Sequence, residues 1–240
     1  RRGFRMPVFH HTKTHGRFFF IHIPRNAGRF LTKNFWENGY GMEHHSTRNY
    51  TVEDVVAQYS SLNGLKLLHP PTKHADKERL EDYLWTSIEG VEFSHTHYPL
   101  YSKWKSIKDI PSIAVVRNPI DRFFSSSGGM EKGLQSSLED WTEFNNILQK
   151  YKHTKPRKLI YNWWRPQHEF ISPHTKIWKY ENGFGKDFCK WIKDILPIEL
   201  SMRTQVYEKY TYDAPKLIKT EPLLNNIKKF YHQDLKDFDY

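Results

Sequence analysis

The sequence has two places where an apolar run is followed by a helix-like segment, and an arginine lies at each of them. An arginine side chain can bind anions. Arg25 follows residues 18–23 and a proline, and it precedes Gly28. Helix N-termini leave backbone N–H groups unpaired, and the helix dipole favours negative charge there. A guanidinium group beside those amides contacts two oxygens of an anion at once. The stretch 18–31 therefore predicts a site for a phosphate or sulfate group, with an ordinary surface turn as the alternative.

The second arginine belongs to a similar junction about 90 residues later. Arg117 follows the apolar run 112–116, and Ser125 lies about two turns into the helix that the next residues predict. In open parallel sheets, ligands bind at the carboxyl ends of the strands. Arg117 and Ser125 are therefore expected to converge on a second anionic group, such as a 3′-phosphate. Arg122 either joins them or pairs with an acidic neighbour, Asp121 or Glu131.

The pair His95 and His97 is the third element with catalytic potential. Residues two apart in a strand face the same side, so both imidazoles can point into one cleft. A metal site needs a third ligand at suitable spacing, which the sequence does not offer, so none is predicted. One neutral histidine suffices as a general base. The alternative is a packed or solvated pair, since the chain has 14 histidines.

The first junction lacks the G-x-x-x-x-G-K-[ST] pattern that holds nucleotide and Mg²⁺ in kinases and ATPases. A nucleotide kinase is therefore disfavoured. What the chain does contain is I-P-R-N-A-G, followed by V-V-R-N-P-I-D-R-F-F-S. Together these resemble the two phosphosulfate-binding elements of sulfotransferases. Segments 93–99 and 177–181 are similar to the H-x-H segment and to the strand ending in Glu of the carbohydrate 2-O-sulfotransferases, and 224–240 is similar to their closing helix.

The resemblance implies the donor 3′-phosphoadenosine-5′-phosphosulfate, a hydroxyl acceptor on a carbohydrate, most simply an anionic glycan, and no required metal. Arg25 would stabilise charge on the departing phosphate, and His97, with His95 beside it, would take the acceptor's proton. Arg117 and Ser125 would hold the 3′-phosphate. The 5′-phosphosulfate would be held by the loop, that is by Arg25, Asn26, Ala27, Gly28, Arg29 and Phe30.

The chain departs from the family at the first junction. The family usually has Lys where Arg25 stands, and Ser or Thr near Asn26 and at Arg29. Arg25 supplies the same charge with a different geometry. Arg29 puts a large cation where a small hydroxyl is expected. Three readings stay open: Arg29 takes over phosphate binding, the loop serves an unusual donor, or the protein is catalytically weakened.

Strand-like and helix-like segments alternate along the chain, which indicates an α/β fold. The resemblance adds a three-layer, P-loop-NTPase-like architecture with a central, mostly parallel sheet flanked by helices. We expect one domain over residues 1–240, with 1–16 as a peripheral extension. The predicted strands are 18–23, 65–68, 91–94, 112–116 and 175–180, and the predicted helices are 29–37, 51–62, 76–88, 120–127, 137–151, 184–196 and 221–233.

The formal charge of +10, from 37 Lys and Arg against 27 Asp and Glu, predicts anionic partners. The rival to an enzyme is thus a non-catalytic basic module that grips polyanions or nucleic acid. A sulfotransferase would need no nucleic acid. No apolar run approaches the roughly 18–20 residues that span a bilayer. The expected compartment is the cytoplasm, or the Golgi lumen if an N-terminal anchor has been removed, and the sequence sets no oligomeric state.

Overall fold

A mixed β-sheet forms the centre of the computed structural model. The structure describes residues 3–11, 14, 16–46, 66–67, 87–88, 91–92, 109–127, 133–153, 161–196, 200–202 and 217–240. Its strands in chain order are β1 (Gly3–His11), β2 (Arg17–Ile21), β3 (Tyr40–Ser46), β4 (Lys66–Leu67), β5 (Ser87–Ile88), β6 (Val91–Glu92), β7 (Ser112–Val116) and β8 (Lys176–Lys179).

Within the described residues the main sheet has the strand order β4-β3-β1-β2-β7-β8. Strands β2, β7 and β8 are parallel, with Phe20 opposite Ile113 and Val115 opposite Trp178. Strand β1 pairs antiparallel with β2, β3 pairs antiparallel with β1, and β4 pairs antiparallel with β3. Strands β2 and β7 are largely buried on both faces, as parallel strands usually are, whereas the edge strand β8 is partly exposed. The carboxyl ends of β2 and β7 carry the two predicted anion-binding junctions.

Helices follow the strands and cover the sheet, so the predicted α/β fold is confirmed. They are α1 (Gly28–Glu37), α2 (Pro119–Ser126), α3 (Gln135–Glu139), α4 (Trp141–His153), α5 (Lys186–Lys193), α6 (Glu221–Phe230) and α7 (His232–Asp237). Residues 167–170 and 180–182 form single 3₁₀ turns. The predicted helices 137–151 and 221–233 are each two shorter helices, and the second break falls at Tyr231.

Two apolar clusters hold these elements together. One packs Phe18 and Phe20 of β2, with Ile113 and Val115 of β7, against helices α1 and α5. The other joins helices α2, α3, α4 and α6 around the fully buried Trp164. The side chains that alternate with the first group, such as Phe19 and Ala114, are also buried on the opposite face of the sheet.

The prediction that residues 1–16 form a peripheral extension is wrong for residues 3–11. Strand β1 lies inside the sheet between β2 and β3, and Val8 and Phe9 have no exposed surface. The sequence hid this strand because Pro7 interrupts it, and proline disfavours central strands. The pairing of β1 with β3 shifts register between Arg5 and Phe9, and this irregularity brackets Pro7.

Other predictions differ at their ends or lie outside the described residues. Strand β3 was not predicted, since its sequence is polar and follows a turn at Gly39 with φ of 90°. The predicted helix 76–88 is wrong at its last two residues, which form β5. The predicted helix 51–62 lies outside the described residues, as do residues 76–86.

Candidate anion-binding site

The junction between β2 and α1 has a backbone that its own residue types disfavour. Arg25 and Ala27 both adopt left-handed conformations, with φ of 70° and 63°. L-residues with a side chain pay of order 1–3 kcal/mol for such conformations, and they persist only when the surroundings impose them. The imposing contacts come from the second junction and from the segment 161–167.

Arg122 is the first of these contacts, and its role is structural. Its side chain is fully buried. It donates from Nε to the Pro24 carbonyl at 3.0 Å, and from its two Nη atoms to the carbonyls of Arg165 and Asn162 at 2.9 and 3.2 Å. Burial lowers the pKa of the Arg122 guanidinium, and the nearby Tyr231 and Asp234 act in the opposite direction and raise it. Full burial separates Arg122 from a ligand, and Asp121 pairs with Lys219 instead, while Glu131 lies outside the described residues.

Arg117 is the second contact and reaches the next residue of the same loop. Its Nη1 donates to the carbonyl of Arg25 at 3.2 Å, and its guanidinium lies 4.6 Å from the centre of the Tyr180 ring. Among the described residues, no carboxylate lies within ion-pair range of Arg117. The side chain is half-buried. It therefore combines a fixed position with a charge that a ligand can neutralise.

Arg25 and Ser125, predicted to serve different phosphate groups, are direct neighbours. Arg25 Nε donates to Ser125 Oγ at 3.2 Å, and its guanidinium lies 5.6 Å from the ring centre of Trp163. All three side chains are half-buried. The two consecutive tryptophans therefore differ in environment. Trp164 is fully buried in the core, whereas Trp163 borders the site. The structure brings Arg25, Arg117 and Ser125 together at one edge of the sheet.

Asn26 is buried, so its side chain builds the loop and is not exposed to a ligand. Its Nδ2 donates to the Val115 carbonyl and to Gln167 Oε1, both at 2.7 Å. Its backbone N–H donates to the Ile23 carbonyl at 3.3 Å. Its Oδ1 has no hydrogen-bond partner within the part of the chain that the structure describes. In this structure the Asn26 side chain and its backbone N–H are both bonded within the protein, and the predicted contact of Asn26 with the phosphosulfate stays a prediction.

Gly28 is required by packing against His22. A Cβ built on Gly28 would overlap the His22 imidazole, which stacks on Phe20 with ring centres 5.6 Å apart. His22 is 6% exposed, so its imidazole is part of the packed interior. The first turn of α1 begins at Gly28 and contributes the backbone amides expected at an anion-binding helix N-terminus.

The second junction is capped by its own residues. Asn118 Oδ1 accepts from the N–H groups of Ile120 and Asp121, and Pro119 occupies the first helical position. The Asn118 N–H donates to Glu181 Oε1 at 2.7 Å, and the Tyr240 hydroxyl donates to the other oxygen of Glu181 at 2.6 Å. Burial raises the pKa of Tyr240, and the bond to Glu181 adds to that shift. The chain's last residues thus lie beside the carboxyl end of β7.

Several predicted site residues lie outside what the structure describes. These are His95, His97 and the side chain of Arg29. Ala27 and Phe30 are present in the loop and in the first turn of α1, as expected. Within the described ranges no group of three His, Cys, Asp or Glu side chains is arranged to hold a metal ion.

Sequence reasoning missed a buried polar network behind the site. Gln167 has no exposed surface and bonds both junctions, while Asp234 accepts from the N–H groups of Gln167 and His168 and from His168 Nδ1. Gln167 lies three residues after Trp164, and its place in this aromatic segment was only a weak sign of a functional role. Asp234 gave no such sign, because its polar neighbours are 66 and 67 residues away in sequence.

Comparison with protein-family models, curated proteins and solved structures finds no significant match to this chain. Within the described helices, none has the length and apolar character that a membrane crossing requires.

Proposed function

We propose that this protein is a sulfotransferase that moves a sulfuryl group from 3′-phosphoadenosine-5′-phosphosulfate to a hydroxyl of a carbohydrate acceptor. The observation that carries the proposal is the convergence of Arg25, Arg117 and Ser125 at the carboxyl ends of β2 and β7. The sequence motifs assigned these three side chains to the two ends of one donor. The finer architecture, a three-layer P-loop-like fold, belongs to the same proposal.

In the proposed complex, the donor's 5′-phosphosulfate lies against the N-terminus of α1. The amides of Ala27, Gly28, Arg29 and Phe30 would hold its oxygens, and Arg25 would stabilise the charge that grows on the departing phosphate. Sulfuryl transfer resembles phosphoryl transfer in that positioning and electrostatic stabilisation account for most of the rate. The left-handed backbone at Arg25 and Ala27 supports this role, since strained loops are enriched at ligand sites.

The 3′-phosphate would be bound by Arg117 and Ser125. Arg117 is already fixed by the Arg25 carbonyl and the Tyr180 ring, so little side-chain freedom is lost when an anion binds. Ser125 Oγ accepts from Arg25 and keeps its own hydroxyl proton available for a phosphate oxygen. His97, with His95 beside it, is the proposed base that takes the acceptor's proton.

Calorimetric titration with adenosine 3′,5′-bisphosphate and with adenosine 5′-monophosphate tests the donor assignment. The bisphosphate should bind more tightly, and Arg117→Ala should weaken it by about 10- to 100-fold, as expected for a lost charge-assisted hydrogen bond. Lys219→Ala removes an exposed cation that pairs with Asp121 at 3.2 Å and that contacts neither Arg25 nor Arg117, and it is the matched control. Equal affinity of the wild type for the two nucleotides would refute the proposal.

The base is tested separately by turnover. His97→Ala should lower the rate of sulfuryl transfer by roughly 10²–10⁴ while donor binding stays unchanged. Full activity of that variant would remove His97 from the mechanism.

Polyanion binding without catalysis is the second candidate function, and the formal charge of +10 favours it. It predicts affinity for heparin or DNA that falls steeply with salt. It also predicts no dependence on the 3′-phosphate and no effect of His97→Ala.

A further inference from the structure

We infer that Gln167 is a positioning residue that fixes the spacing of the two cationic junctions and so makes the site selective for a nucleotide with phosphates at both its 5′ and 3′ positions. This inference rests on the proposed function, because it concerns the same donor. It adds a specificity determinant that contacts neither phosphate.

The side-chain amide of Gln167 bonds both junctions at once. Its Oε1 accepts from Asn26 Nδ2 at 2.7 Å and from the Arg117 N–H at 2.9 Å, and its Nε2 donates to the Arg117 carbonyl at 2.8 Å. The bonds to Arg117 pair with its backbone on both sides, as a neighbouring strand would. One side chain therefore sets where Arg117 leaves the sheet and where Asn26 sits relative to it.

Asn26 is the point at which this bridge controls the strained loop. It lies between the two left-handed residues, Arg25 and Ala27, and both N–H groups of its amide are used, one on the Val115 carbonyl and one on Gln167. Without the bond to Gln167, the Asn26 side chain would hold the loop to β7 only through its bond to the Val115 carbonyl. The position of Arg25 relative to Arg117 would then depend on weaker support, chiefly the 3.2 Å bond from Arg117 Nη1 to the Arg25 carbonyl.

Gln167 is itself held from behind and has no exposed surface. Its N–H donates to Asp234 Oδ2 at 2.7 Å, and the other oxygen of Asp234 accepts from the His168 N–H at 2.9 Å and from His168 Nδ1 at 2.6 Å. Asp234 is also fully buried. Because the Gln167 side chain is buried and bonded to Asn26 and Arg117, it does not contact the nucleotide itself. Its influence on nucleotide binding therefore passes through those two residues.

Two-point binding gains affinity only when both sites are held at the separation that the ligand spans. The Gln167 bridge should therefore matter for a nucleotide that engages both junctions and matter little for one that engages a single junction. Glutamate at this position keeps the acceptor but lacks the donor that the Arg117 carbonyl requires, and leucine removes both.

The test is the ratio of dissociation constants for adenosine 5′-monophosphate and adenosine 3′,5′-bisphosphate, measured by calorimetry. Gln167→Leu and Gln167→Glu should lower this ratio about tenfold or more through weaker bisphosphate binding, which is part of the roughly 10²–10⁴-fold gain that two-point binding can give. Glu169→Gln, on the same turn but bonded to Arg165, is the control and should keep the wild-type ratio.

Asn26→Ala breaks the same bridge from the loop side and provides the measurement where a Gln167 variant does not fold. If Gln167 acts in part through Asn26, the loss in the double variant should be smaller than the combined losses of the two single variants. Folded Gln167 and Asn26 variants with the wild-type ratio would overturn the inference. A wild type without preference for the bisphosphate would instead refute the proposed function, so the two failures are distinguishable.

Discussion

The two junctions at the carboxyl ends of β2 and β7 each connect a parallel strand to a helix, but they are built in opposite ways. The β7–α2 junction has its own N-cap in Asn118 and a proline at the first helical position. The β2–α1 junction adopts two left-handed residues and has its carbonyls held by Arg122 and Arg117. The helix of one junction is capped by local residues, whereas the loop of the other is held in its conformation by its neighbour. Mutations should therefore act differently on the two.

Loss of the imposed support should have the largest effect. Arg122→Met leaves three buried carbonyls without donors, and each buried group that loses its partner costs about 1–3 kcal/mol. We expect the free energy of unfolding to fall by roughly 3–5 kcal/mol in urea denaturation. Lys219→Met, which breaks an exposed ion pair, should change it by less than about 0.5 kcal/mol. Equal effects of the two variants would contradict the structural role of Arg122.

Loss of the local cap should cost less. Asn118→Ala removes the acceptor for two N–H groups at the start of α2, and such caps contribute about 1 kcal/mol. Asn118→Asp retains the acceptor and should unfold at nearly the wild-type urea concentration. A cost for Asn118→Ala as large as that of Arg122→Met would mean that the second junction also depends on distant contacts.

Relief of strain in the first junction should stabilise the protein. Ala27→Gly removes the penalty of a left-handed alanine, which is offset in part by the greater freedom of glycine when unfolded. We expect a gain of about 0.5–1 kcal/mol in the same assay. Ala114→Gly, in buried strand β7, should instead destabilise the protein. Destabilisation by Ala27→Gly would show that this loop is not strained.

The network behind the first junction should give stability a small dependence on pH. The hydrogen bond to Asp234 raises the pKa of His168, which burial opposes and the charges of Asp234, Glu169 and Asp237 reinforce. Since the folded pKa exceeds the unfolded one, the contribution is complete below about pH 6.5 and is lost as pH rises through the folded value.

The stability difference between wild type and His168→Gln should therefore be larger at pH 5.5 than in mildly alkaline buffer. Thermal unfolding across this range measures it. A difference that stays constant with pH would remove the charged pair from the network.

Residue patterns alone determined much of the parallel half of the sheet and its helices. Strand β7 was predicted with its observed bounds, because a short apolar run before Arg-Asn-Pro leaves few alternatives. The predicted helix at 29–37 begins one residue earlier, at Gly28. That both junctions lie at one edge of the sheet also followed from the sequence, since the carboxyl ends of parallel strands meet there, whereas the direct contact between Arg25 and Ser125 did not.

Only the tertiary structure decided how the site is supported. Arg122 and Arg117 look alike in sequence, yet burial makes one a scaffold and leaves the other half-exposed at the site. Gln167 and Asp234 act through partners far along the chain, and local patterns do not encode such pairings. Hydrophobic periodicity and caps are local signals, whereas buried polar networks and sheet order depend on which distant segments meet.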